Sequence, residues 1–178
     1  MQKIYKFSIP ILLIFFLTIT VVGCEGDDKS SKSLINAPQF ELELFQNSNN
    51  MNSLNLNLAD DLNNHPIVIN FWYPSCPPCR EEIPALEKAY KKYKGDGLEI
   101  IGIQSLVLDS IEDGKEFVIE SGITYGVGAD VGSSIQISYK VIGFPTTYFL
   151  NRNHEIVRKW SGLLDNAQLE QFIVEILE

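Results

Sequence analysis

A continuous apolar, β-branched run, Ile67-Val68-Ile69-Asn70-Phe71-Trp72, leads directly into a proline-rich turn, and the turn into apolar residues at helical spacing. Such a run marks a strand buried on both faces, which needs helices above and below its sheet. Ile83, Leu86, Ala89, Tyr90 and Tyr93 supply the helical face, and Gly95-Asp96-Gly97 ends it. Between strand and helix stands Tyr73-Pro74-Ser75-Cys76-Pro77-Pro78-Cys79, so two thiols are expected at a helix N-terminus.

The remaining pattern extends the same architecture. Phe40, Leu42 and Leu44 alternate with polar residues, as do Leu54, Leu56 and Leu58 after an Asn/Ser-rich turn at 46–53, which predicts an N-terminal hairpin with one buried face. Leu98–Gln104 reads as the next buried strand and Ile111–Glu120 as a helix stopped by Gly122. Ile123–Val127 reads as a short strand, followed by a helix with Ile135, Ile137 and Tyr139 capped by Ser133 or Ser134. Thr146–Leu150 and Glu155–Trp160 flank a turn at 151–154 and predict a second hairpin. Asp165, with Gln168 three residues on, opens a C-terminal amphipathic helix whose apolar face is Leu169, Phe172, Ile173 and Ile176. Strands alternating with helices and ending in a hairpin imply an α/β fold with a mixed central sheet flanked by helices. His65 and His154 are expected in surface turns, and Trp160 in packing.

The first residues belong to targeting rather than to the fold. Lys3 and Lys6 precede an uncharged apolar run from Ile9 to Val22 that is shorter than the ~20 residues a spanning helix needs. Val21-Val22-Gly23-Cys24 closes it and resembles the lipobox of bacterial lipoproteins, with Val21 at the usual leucine position. The chain therefore divides into a signal peptide at 1–23, a lipidated Cys24 with a polar linker at 24–36, and a folded domain at 37–178. An uncleaved anchor would also leave that domain outside the cytoplasm, attached to a membrane.

Three cysteines are an odd number in an exported chain. Lipid on Cys24 would leave Cys76 and Cys79 as a pair. A helix N-terminus stabilises a thiolate through its dipole and free N–H groups, so Cys76 is the expected nucleophile and Cys79 the resolving thiol. A structural zinc site would need four ligands, and beyond this pair only His65, His154 and carboxylates are on offer. A purely structural disulfide would gain little from closing so short a loop. The chemistry requires no metal or organic cofactor. The net charge of −9 argues against nucleic acid, and Lys88, Lys91, Lys92 and Lys94 share their helix with glutamates on a solvated face.

Asn70-Phe71-Trp72 followed by Cys76-Pro77-Pro78-Cys79-Arg80-Glu81-Glu82-Ile83-Pro84, and later Gly143-Phe144-Pro145-Thr146-Thr147-Tyr148, resembles the membrane-tethered TlpA/ResA-like thiol–disulfide oxidoreductases. The resemblance implies a thioredoxin-like fold with an N-terminal β-hairpin and a central insertion. It also implies a cis peptide at Pro145 that sets the Phe144 backbone beside Cys76, with Trp72, Pro77 and Pro78 around the client. Glu82, one helical turn after Cys79, matches an acid that the family can use to take the Cys79 proton. Asn70 stands where cytoplasmic thioredoxins carry a buried aspartate, and Ser75 where the family usually has tryptophan.

Pro77 and Pro78 lack N–H groups that could stabilise the Cys76 thiolate, which tilts the couple toward a reductant. Expected partners are disulfide-bearing proteins, apocytochrome c among them, and a membrane protein that restores the dithiol; the domain is expected to act as a monomer. A thiol peroxidase would want Thr or Ser where Tyr73 stands. A copper-handling protein on this fold would use a wider cysteine spacing with a distal histidine.

Overall fold

The computed structural model of the chain describes residues 34–45 and 54–178. The signal segment, Cys24, most of the linker and the turn at 46–53 lie outside the described residues. In chain order the elements are β1 (Ile35–Asn36), β2 (Glu41–Glu43), β3 (Asn55–Asn57), α1 (Leu58–Asp61), β4 (Ile67–Trp72) and α2 (Pro77–Tyr93), which ends in a 3-10 turn. They continue with β5 (Glu99–Gln104), α3 (Ile111–Glu120), β6 (Gly126–Ala129), α4 (Ser134–Ser138), β7 (Thr146–Leu150), β8 (Glu155–Ser161) and α5 (Asn166–Leu177).

Six strands form one mixed sheet in the order β1-β8-β7-β4-β5-β6. β4, β5 and β6 run parallel, while β7 and β8 are antiparallel, as a hairpin requires. Every residue of β4 and β5 is buried, which is why both read as mainly apolar runs. On one face of the sheet α2, α3 and α5 enclose a core that includes Val68, Trp72, Phe149 and both cysteines. On the other, the β2–β3 hairpin and α4 enclose Ile67, Ile69, Phe71, Ile103 and Tyr148. Among the described residues no helix is long and apolar enough to cross a membrane.

The hairpin crosses the sheet edge at Gly128, where Leu44 pairs in an isolated bridge. A Cβ at Gly128 would lie 2.2 Å from the Glu43 carbonyl oxygen, so only glycine admits the close approach. The C-terminal helix starts as expected: the Asp165 carboxylate accepts from the Gln168 N–H at 2.8 Å.

Several local expectations change. The linker ends earlier than residue 36, because Ile35 and Asn36 pair with Ile156 and Glu155 at the sheet edge. Strand β6 begins at Gly126, not Ile123: the Thr124 N–H and hydroxyl both donate to the Glu87 carboxylate on α2, at 2.9 and 2.8 Å, which ties that stretch to a helix instead of a ladder. Helix α4 is not capped by a serine side chain. Asp130 accepts from the Ile135 and Gln136 N–H groups at 3.2 and 2.7 Å, and Ile137 faces solvent. Leu54, counted on the buried face of the hairpin, is exposed. His154 is buried, its Nε2 lying 2.8 Å from the Leu62 carbonyl, because the turn it closes folds under α1; His65 is half-buried against the Gly97 carbonyl. Trp160 packs on Phe172 with ring centroids 5.8 Å apart.

Candidate active site

Strand β4 ends at Trp72 and the chain turns through Tyr73 to Ser75 into α2. The Cys76 N–H returns to the Tyr73 carbonyl at 3.1 Å, which makes the turn tight. Cys76 is the N-cap of α2, followed by two prolines whose fixed φ suits the first helical turn and whose missing N–H groups would have been unpaired there. One helical turn brings Cys76 and Cys79 to a Cα separation of 5.3 Å, and the two are joined as a disulfide. The Cys79 N–H points at Cys76 Sγ from 3.2 Å. The Cys76 sulfur thus keeps one backbone donor, where a helix N-terminus without prolines could offer more.

A thiol at the start of a helix reads as the exposed end of the pair, but in the disulfide-bonded state Cys76 is only 1% exposed, and Cys79 is fully buried. Tyr73 and Phe144, with rings edge-to-face at 5.2 Å, pack against the core cluster that contains both cysteines. The Phe144–Pro145 peptide is cis, and Pro145 is buried while Phe144 is half-buried. Of the remaining residues expected around a client, Pro77 is exposed and Pro78 half-buried. Trp72 is not at the surface: it is 2% exposed and its ring packs on Phe117 at 5.2 Å, because it belongs to the inward face of β4.

One helical turn after Cys79 stands a buried acid. Glu82, 2% exposed, follows Cys79 by three residues on α2. One carboxylate oxygen accepts from Asn70 Nδ2 at 2.7 Å and the other from the Leu164 N–H at 3.2 Å. Asn70 Nδ2 also donates to the Thr147 hydroxyl at 3.0 Å, across the β4–β7 ladder in which the two residues are partners. Burial penalises the ionised form and pushes the Glu82 carboxyl up to about 7, against the opposing pull of the two hydrogen bonds. A carboxyl poised there is half ionised near neutrality and can take or return a proton without large cost.

At the turn before Cys76 the structure adds Asp109, which the sequence did not single out. The Ser75 N–H and hydroxyl both donate to Asp109 Oδ2, at 3.0 and 2.8 Å. Arg80 donates from Nη1 to the Pro74 carbonyl at 3.2 Å and lies over the Phe117 ring at 4.5 Å. Asp109 stands 34 residues from Ser75, and no local spacing links the two.

A strand–turn–dithiol–helix with a cis-proline loop beside it points to disulfide exchange, and comparison with known proteins agrees. The model of the AhpC/TSA family matches residues 35–159. The chain belongs to that family. Within the family it is ResA-like: the thiol-disulfide oxidoreductase ResA of Oceanobacillus iheyensis is 28% identical over 174 residues, 97% of this chain and 88% of the relative. ResA of Bacillus subtilis is 27% identical over 93% of the chain and 88% of its own length. Among solved structures, a thiol:disulfide interchange protein of the thioredoxin family from Chlorobium tepidum superposes with a TM-score of 0.71 at 20% identity, covering 82% of this chain and 97% of that one. StoA from Bacillus subtilis superposes at 0.64 and 18% identity, over 76% and 96%. These structures establish the thioredoxin-like fold. This ResA-like member of the AhpC/TSA family is a protein-disulfide oxidoreductase, and Cys76–Cys79 is its CxxC pair.

Proposed function

We propose that the protein acts outside the cytoplasm, anchored to a bacterial membrane through lipid on Cys24, and reduces disulfides of other proteins, with the cysteines of apocytochrome c as the leading client. The observation that carries the reading is the buried Glu82 carboxyl one turn after Cys79. A reductant needs its second thiol to attack the mixed disulfide, so that thiol must lose a proton inside a covered site. In the reverse step Cys79 leaves as a thiolate and takes that proton back, so a carboxyl one turn along α2 serves the exchange itself. The reducing direction is favoured by the missing N–H groups of Pro77 and Pro78, which leave the Cys76 thiolate less stabilised.

The cycle starts from the dithiol. The Cys76 thiolate attacks one sulfur of the client disulfide, forms a mixed disulfide and expels the client's other sulfur as a thiolate. Glu82 takes the proton of Cys79, whose thiolate then attacks Cys76 Sγ and expels the client's second sulfur. The client leaves as a dithiol and the protein as the Cys76–Cys79 disulfide, two electrons having passed to the client. Phe144 and Pro145 bound the client backbone, Pro77 and Pro78 border the attacked sulfur, and Trp72 supports the turn from within the core. A membrane electron-donating protein restores the dithiol. The export signal is 1–23, the tether starts at Cys24, and the domain works as a monomer.

Insulin reduction is expected from wild type and to be abolished in Cys76→Ser. Cys79→Ala, expressed in the native cell, is expected to accumulate a mixed disulfide with its client. Activity surviving in Cys76→Ser, or a midpoint potential near the roughly −120 mV of a strong oxidant, would sink the assignment.

A further inference from the structure

We propose that Asp109 is a positioning residue that holds a negative charge, through Ser75, against the start of α2 and so disfavours the Cys76 thiolate. The inference goes beyond the client reduction proposed above, because it concerns the poise of the dithiol whichever way electrons pass.

The contact is with the residue directly before the nucleophile. Asp109 Oδ2 accepts from the Ser75 N–H at 3.0 Å and from the Ser75 hydroxyl at 2.8 Å. Ser75 is bonded to Cys76, the N-cap of the 17-residue helix α2, and consecutive Cα atoms lie about 3.8 Å apart. A carboxylate therefore stands one residue from the thiol that must become an anion. The first turn of α2 has no acidic residue of its own, so this charge is brought in from the loop after β5. Pro77 and Pro78 donate nothing, and the Cys79 N–H, 3.2 Å away, is the backbone donor that points at the Cys76 sulfur. With so little compensation at the helix start, a fixed anion raises the cost of a second negative charge beside it.

The loop keeps the carboxylate there. Before it, the Ser105 N–H donates to the Trp72 carbonyl at 2.8 Å and the Ser105 hydroxyl to Gln136 Oε1 at 2.9 Å. Directly after it, the Ser110 carbonyl accepts from Nε2 of the fully buried Gln104 at 2.7 Å, and Ser110 caps α3. A Cβ at Gly114 would lie 1.9 Å from Gln104 Oε1, so glycine in α3 makes room for that grip. An anchored carboxylate acts from one place, whereas a free surface side chain loses much of its effect to motion and solvent. The neighbouring charges do not cancel it. Asp113, Glu116 and Glu120 line the same groove, and its one cation, Arg80, donates to the Pro74 carbonyl and lies over the Phe117 ring. Glu82, one turn after Cys79, is common to every variant below.

The test equilibrates the full chain with reduced and oxidised glutathione at pH 6 and pH 9. Alkylation and peptide mass then give the fraction of Cys76–Cys79 present as dithiol. Protein dithiol and glutathione disulfide exchange for protein disulfide and two glutathione thiols, so atoms and electrons balance. A free cysteine titrates near about 8.5, so the thiolate counts at pH 9 and hardly at pH 6. Asp109→Asn keeps an acceptor for Ser75 and removes the charge. It is expected to shift the equilibrium toward the dithiol by about threefold to tenfold at pH 9, equivalent to roughly 15–30 mV, and by less than about twofold at pH 6. Asp109→Ala is expected to shift it as far. Glu120→Gln, at the last residue of α3 in the same groove, is expected to stay within about twofold of wild type at both pH values. Thermal melts show that each variant is folded. An Asn variant that matches wild type at pH 9 overturns the proposal. So does a shift of equal size at both pH values, which would come from altered structure, or a shift in Asp109→Ala that Asp109→Asn lacks, which would come from the lost bond. The reductase reading fails on a different result, a wild-type equilibrium typical of a strong oxidant, which leaves the comparison between variants as it is.

Discussion

The two faces of strand β4 are equally buried yet built for different purposes. Ile67, Ile69 and Phe71 point to the hairpin side, where Phe71 meets Tyr139 and Tyr148 at ring distances of 5.5 and 6.1 Å. Val68, Asn70 and Trp72 point to the α2 side, and there a polar residue interrupts the apolar set opposite Glu82. One face gains stability from packing alone. The other gives up stability to keep an ionisable group in the dry, a cost that burial imposes on any charge without a full counter-charge. The difference teaches where the chemistry is: the polar interruption, not the apolar run, distinguishes a redox strand from a structural one.

Four measurements can break or sharpen this contrast. On the packing face, Phe71→Ala should cost about 3–5 kcal/mol in denaturant unfolding and leave the pH dependence of stability unchanged; a changed pH dependence would mean the two faces are coupled. On the redox face the folded Glu82 carboxyl titrates above its unfolded value of 4.5, at about 7. The native state then holds the extra proton between these values. Glu82 stabilises the fold relative to its ionised form at low pH, and that contribution is lost as pH rises through 7. Glu82→Gln should therefore remove about 3 kcal/mol of pH-dependent stability between pH 4.5 and 7, read by chemical unfolding across that range. An unaltered slope would exclude Glu82 as the titrating group.

Asn70→Ala deletes a donor that favours the ionised carboxylate. It should cost about 1–3 kcal/mol and move the inflection of the Glu82 profile upward; a downward shift would break the assignment. The smallest effect belongs to the surface clamp. Ser75→Ala should cost about 0.5–1.5 kcal/mol and leave the Glu82 inflection where it is, since Ser75 and Asp109 do not touch the acid.

Much of this was legible beforehand because it depends on neighbours in sequence. The β4 run, the four-residue dithiol, the cap at Asp165 and the closing hairpin all follow from spacings of a few residues. Most of the illegible features depend on a partner far along the chain. His154 lies under the Leu62 carbonyl, 92 residues away, so its turn is not a surface turn. Thr124 is diverted from its strand by Glu87, and α4 is capped by Asp130 across an intervening loop. Cys76 reads as exposed from its place at a helix start, yet it is buried within the core cluster against which Tyr73 and Phe144 pack.

By itself the sequence determined the fold class and the dithiol, because a buried strand, a proline-primed helix start and an i, i+3 cysteine pair are local geometry. Tertiary structure alone decided the state of the acid. Glu82 meets Asn70 from 12 residues away and the Leu164 N–H from 82, while Asn70 reaches Thr147 across 77. Only the assembled sheet and α5 withdraw water from that carboxyl, and desolvation is a property of everything packed around a group, which no stretch of sequence near it encodes.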